Sequence, residues 1–259
     1  MEPGLSGKRA FVTGGSGDIG RAVVRELAAA GAIVDFAYFS DHEGAKETAE
    51  LVRSLQARAP AVFRVNFGDG PSTQAFLAEV QEKLGQVDLL VHCAASGVFR
   101  DALSLTPRHT KWTMDVNAYS FFDLMQTLAV PRGERGSLLS SGGAVVALSS
   151  LGAVRAIPQY TAAAASKAAL EAMVRQLALE LGPRGIRLNV VSPGLVMTRA
   201  LAHFPNKAEL VSAAEGRTPL ARLTTPEDVA SVVAFLLSSR AAMIHGQTIN
   251  VDGGYSIVG

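Results

Sequence analysis

One cysteine among 259 residues rules out an internal disulfide framework and fits a reducing compartment. Charge of one sign is missing too, since 24 Lys+Arg face 23 Asp+Glu for a net charge of +1. That balance excludes both the basic footprint of a nucleic-acid binder and an acidic tail for cationic partners. No apolar run approaches the ~20 residues that cross a bilayer. The opening Met1-Glu2-Pro3-Gly4-Leu5-Ser6-Gly7 has no basic stretch ahead of an apolar one, so it does not read as a secretory signal. The five histidines, at 42, 92, 109, 203 and 245, show no paired ligand spacing, and no metal site is expected. These absences leave a cytoplasmic globular protein without nucleic-acid or membrane partners.

Glycine is plentiful, 25 residues, against only 6% aromatics, a composition that leans towards α/β. Apolar β-branched runs at 9–12, 33–38, 61–65, 87–93, 144–148, 186–191 and 247–251 predict about seven strands. Helical patterns lie between them at 19–30, 43–58, 71–84, 108–130 and 160–181. A last helix opens at Thr225, an N-cap followed by Pro226 and two acids. Strand–helix alternation with apolar strands predicts a doubly wound, Rossmann-like parallel sheet covered on both faces. No linker or repeat divides the chain, and residues 132–143, rich in Gly and Ser, read as a surface loop. A single domain over residues 1–259 is expected.

The first strand runs into Thr13-Gly14-Gly15-Ser16-Gly17-Asp18-Ile19-Gly20 and then directly into a helix. Such a turn lets backbone N–H groups and a helix N-terminus approach a pyrophosphate. A P-loop is disfavoured, because counting from Gly15 its Lys-Ser/Thr pair would fall on Arg21-Ala22. At the end of the second strand, Tyr38-Phe39-Ser40 offers no carboxylate for a ribose 2′-hydroxyl, which favours NADPH and leaves NADH open. Asp35 lies earlier in that strand and is expected to face elsewhere. No Arg or Lys stands at 16–18 or 38–42 to pair a 2′-phosphate.

With this turn come Cys93-Ala94-Ala95-Ser96-Gly97, Asn117 in Asp115-Val116-Asn117, Ser149-Ser150, Ser166-Lys167-Ala168-Ala169-Leu170, Ser192-Pro193-Gly194 and Val251-Asp252-Gly253-Gly254. In this order and spacing they resemble the short-chain dehydrogenase/reductase superfamily over essentially the whole chain. The resemblance implies cofactor contacts from Gly14, Ser16, Asp18, Ile19, Gly20, Tyr38, Ser40, Asn66, Phe67, Ala94, Ala95, Ser96, Lys167, Pro193, Gly194, Val196 and Thr198. It also implies a homotetramer. Apolar residues on several faces of 167–181 and 113–130 agree with subunit contacts there.

One departure bears on chemistry. The common family pattern is Tyr-x3-Lys, yet four residues before Lys167 stands Ala163, and the tyrosine is Tyr160. The Tyr-x6-Lys spacing, preceded by Leu151-Gly152 and by Arg155-Ala156-Ile157-Pro158, is similar to bacterial enoyl-acyl-carrier-protein reductases. Residues 200–206 and 243–248 are similar to the FabL-type branch. A spacing of seven separates the two side chains by ~10 Å of helix rise instead of ~6 Å. Enoyl reduction develops its charge on the thioester oxygen, remote from the carbon that receives hydride, so a displaced donor suits it. The resemblance then implies Tyr160 as the enolate donor, Lys167 on the nicotinamide ribose and Asn117 linked to Lys167 through water. Ser150, standing where many enoyl reductases carry a second tyrosine, either helps or lines the pocket. Ala163 is expected to leave room for the thioester arm of an acyl carrier protein or CoA substrate, and residues 197–215, with Pro205, to form a substrate lid. Two rivals remain open: a carbonyl reductase using Tyr160 and Ser150, and an inactive nucleotide-binding relative. Cys93, ending a buried strand, reads as packing.

Overall fold

The computed structural model describes residues 4–131, 133, 136–199, 201 and 207–258. Runs rich in Val, Leu, Ile and Phe become strands because both faces of each are covered, so alternate side chains enter different cores. Val12, Val34, Val91 and Val146 enter one core, and Phe11, Leu90, Val145 and Leu188 the other. The strands are β1 (Arg9–Thr13), β2 (Ile33–Tyr38), β3 (Val62–Arg64), β4 (Val87–His92), β5 (Leu139–Leu148), β6 (Arg187–Pro193) and β7 (Thr248–Val251). The helices are α1 (Asp18–Ala29), α2 (His42–Leu55), α3 (Gly70–Lys83), α4 (Pro107–Met114), α5 (Ser120–Ala129), α6 (Thr161–Leu181), α7 (Lys207–Arg217) and α8 (Pro226–Leu237). All strand pairs are parallel, in the order β3-β2-β1-β4-β5-β6-β7. Helices α1, α2 and α8 cover one face, and α3, α5 and α6 the other. The fold is a single-domain, doubly wound α/β sheet. Strand order reverses between β1 and β4, which opens a crevice beyond their carboxyl ends.

Three local expectations are corrected or refined. Residues 132–143 are not one loop, since β5 already begins at Leu139. Their glycines serve a bulge: Val87 pairs with Leu139, Leu89 with Ala144, and Gly142 takes φ +76°. Residues 132, 134 and 135 lie outside the described residues. The helix expected over 108–130 is interrupted by a π turn, Asp115–Tyr119, which a 3.6-residue period does not reveal. Within 197–215 the structure has part of α7, while 200 and 202–206, including Pro205 and most of the 200–206 similarity, lie outside the described residues. Among the described residues no helix is long and apolar enough to cross a membrane.

Candidate active site

The glycine turn after β1 has the geometry expected from its composition. Gly14 has φ +70°, and a Cβ there would lie 2.9 Å from the Ala94 nitrogen. A Cβ on Gly20 would stand 2.1 Å from the Gly14 oxygen, so α1 can pack on the turn only with glycine at this position. Gly17 caps α1 with no side chain on the first amides, which leaves these N–H groups to an anion. The residues present therefore fit a dinucleotide pyrophosphate.

The neighbouring strand ends are fixed by buried polar contacts. Thr13 Oγ1 accepts the Ala94 N–H (3.1 Å) and meets His92 Nδ1 at 3.0 Å. Burial pushes His92 down to about 3, so the ring is neutral and structural. Asn117, in the π turn, accepts the Ser96 N–H at 2.8 Å and donates to Ser96 O and Ser166 Oγ, each also at 2.8 Å. It thereby ties the loop after β4 to α6. Its direct partners are Ser96 and Ser166, not Lys167.

Tyr160 stands at the N-cap of α6. Its hydroxyl donates to Ser150 Oγ at 3.2 Å, and Ser150 Oγ also accepts the Gly152 N–H at 3.2 Å. Two accepted bonds leave the Ser150 proton free to be donated. The Tyr160 ring passes over Gly152, where a Cβ would come within 2.5 Å of it. Burial pushes the phenol up, with the Ser150 contact opposing, so it is a protonated donor at neutral pH. Lys167 is buried, donates to the Leu148 carbonyl at 2.8 Å and is pushed down to about 8 by desolvation. Tyr160 and Lys167 share no hydrogen bond. Ala163 is 3% exposed beside Gly97 and does not face an open channel. The Phe99 ring, stacked on Tyr160 at 5.8 Å, lies over Gly97, so the space expected for the thioester arm is covered here by this ring.

The remaining expected contacts line the same edge. Tyr38 meets His42 Nδ1 at 3.1 Å, and Ser40 is exposed beside it. The Asn66 side chain caps the Gly68 N–H, whereas the Phe67 ring is buried against Phe76, so only its backbone is left for a ligand. Ala94, Ala95 and Ser96 follow β4, and Ile19 lies in the first turn of α1. Pro193 ends β6, Gly194 approaches Asp252 closely, Val196 bridges to Thr224, and Thr198 follows. Asp35 does face elsewhere, accepting from Arg58 and the Ala61 N–H.

Sequence reading missed Phe99, Gln159 and Arg199. Gln159 takes φ +59° and accepts the Arg100 N–H, which turns the chain into Tyr160. Arg199 comes from the far half of the chain. Its N–H and Nε reach Asp18 (2.6 and 2.9 Å), and Nη2 reaches Ser16 O (3.1 Å) and Asp41 (2.9 Å). No local pattern could bring it to the glycine turn.

Comparison with known proteins agrees with this geometry. The family described as Enoyl-(Acyl carrier protein) reductase matches residues 15–256. The chain is 35% identical to the NADH-dependent enoyl-[acyl-carrier-protein] reductase FabI of Synechocystis, over 98% of each chain. It is also 35% identical to mouse L-xylulose reductase, over 98% of this chain and 99% of that one. A blue fluorescent protein from a metagenomic library, solved with NADPH, superposes with a TM-score of 0.85 at 32% identity, over 97% of this chain and 99% of that one.

Proposed function

The chain belongs to the short-chain dehydrogenase/reductase superfamily, a family of nicotinamide-dependent oxidoreductases, and from that premise we propose that it reduces the α,β double bond of an enoyl thioester carried by acyl carrier protein or CoA. The observation that carries the reading is the placement of Tyr160: its phenol lies against Ser150 at the start of α6, while Ala163 fills the family's usual tyrosine position.

NADPH, when bound, supplies the hydride to the β-carbon. Gly14, Ser16, Asp18, Ile19 and Gly20 take the pyrophosphate at the α1 N-terminus. Tyr38, Ser40, Asn66, Phe67, Ala94, Ala95 and Ser96 line the adenosine side, and Pro193, Gly194, Val196 and Thr198 the nicotinamide side. Lys167 holds the ribose hydroxyls with a positive charge. Tyr160, protonated, turns its single hydroxyl proton from Ser150 to the thioester oxygen as charge develops there, and Ser150 donates to the phenol oxygen in its place, the role of an oxyanion donor. Asn117 positions Ser96 and Ser166. NADPH is favoured over NADH because Tyr38-Phe39-Ser40 places no carboxylate at the end of β2, and both oxygens of the nearby Asp41 are engaged by Gly44 and Arg199. The assembly is read as a homotetramer packed through α5 and α6.

A second reading has an observation of its own. The Tyr160–Ser150 pair could equally serve a carbonyl, and mouse L-xylulose reductase is as similar as FabI. Oxidation of NADPH followed with crotonyl thioester, acetoacetyl thioester or neither decides. Turnover of the crotonyl substrate alone is expected. Preference for acetoacetyl supports the carbonyl reading, and no turnover of either contradicts both.

A further inference from the structure

Lys167 and Glu171 lie one turn apart on α6, and both are nearly fully buried, at 5% and 6% exposure. Residues four apart share a helical face. Here that face meets the end of β5, where the two side chains engage consecutive residues. Lys167 Nζ donates to the Leu148 carbonyl, and Glu171 Oε1 accepts from Ser149 Oγ at 2.6 Å. The next residue is Ser150, on which the Tyr160 phenol rests.

A buried carboxylate is costly unless its charge is matched. Among the described residues, Glu171 is the one carboxylate that acts on the Lys167 ammonium, from the next turn of the same helix face. At the end of β4, His92 is a neutral imidazole, pushed down to about 3, and Cys93, the next residue, is a neutral thiol, pushed up to about 12. Tyr160 is a protonated phenol.

We propose that Glu171 is a positioning residue of this site: through Ser149 it fixes the strand end that carries Ser150, and through its charge it keeps Lys167 an ammonium while the site is in use. The inference rests on the reading of Lys167 as the ribose anchor. It predicts that cofactor affinity, and not only catalysis, has an alkaline limit set jointly by these two residues.

The test is NADPH affinity, read by fluorescence titration between about pH 6 and pH 9, with each variant referred to its own value at the acid end. In this window neither His92 nor Cys93 titrates. The parent should lose affinity with a midpoint near the value of about 8 given by Lys167. Glu171→Gln keeps an acceptor for Ser149 but removes the charge, so its midpoint should fall by about one pH unit, the size of effect a nearby opposite charge exerts. Glu171→Asp should restore the parent midpoint at least in part. Ser149→Ala, which breaks the hydrogen bond but leaves the charge, should not move it. Lys167→Ala should bind weakly with no alkaline limb. A parent-like midpoint for Glu171→Gln beside a weak Lys167→Ala overturns the role of Glu171 alone. A Lys167→Ala that binds like the parent removes the anchor reading, and this inference with it.

Discussion

Arg199 illustrates how a single side chain can reach the glycine turn from a distant part of the sequence. Its guanidinium stands between the glycine turn and the β2–α2 corner, against Ser16 O and Asp41. A cation there is adjacent to both the pyrophosphate position and the ribose at the end of β2. Arg199→Ala should raise the KM for NADPH about tenfold, as expected for losing a charged hydrogen bond, and change the KM for NADH much less. Steady-state kinetics with both dinucleotides check this. A parent enzyme with a lower KM for NADH than for NADPH would contradict the assignment. At the residue scale geometry was legible wherever it sits in a contiguous motif, as with the turn at Gly14 and Gly20 and with Tyr160 at the start of α6. Arg199 and Phe99 were not legible, because their roles come from long-range contacts that no local pattern encodes. Phe99 also approaches Gly97, beside which Ala163 is buried, a contact of the same long-range kind.

Among the elements, the π turn between α4 and α5 is the feature least visible in sequence and most consequential for the site. A helical period continues on both sides of Asp115–Tyr119, so apolar spacing alone predicts one unbroken helix. The extra residue in the turn accompanies Asn117 meeting Ser96 and Ser166 together. Asn117→Ala leaves buried partners unsatisfied and should cost about 1–3 kcal/mol of stability, measured by urea unfolding. Loss of less than a few tenths would show that these bonds are dispensable. Strands were read more reliably, because a strand covered on both faces is a nearly continuous apolar run. The exception is β5, whose Gly142-Gly143 bulge resembles a loop in composition while Leu139 and Ser140 are already buried.

For the whole molecule, apolar surface remains on the helices assigned to subunit contacts. Leu179 on α6 is 77% exposed, and Tyr119 and Phe122 are exposed around the start of α5. The homotetramer reading predicts that Leu179→Glu, which puts a charge into an apolar contact, shifts the sedimentation profile towards smaller species. An unchanged profile, or a monomeric parent, would contradict it. The proposed cofactor contacts follow the carboxyl ends of β1, β2, β4 and β6, so the account turns on whether Tyr160 is the donor to the thioester oxygen. The most direct measurement is kcat on a crotonyl thioester for Tyr160→Phe, with NADPH Kd determined on the same protein. The account predicts a fall of ~10²–10⁴ in kcat with cofactor affinity nearly intact. A kcat within about twofold of the parent would contradict it.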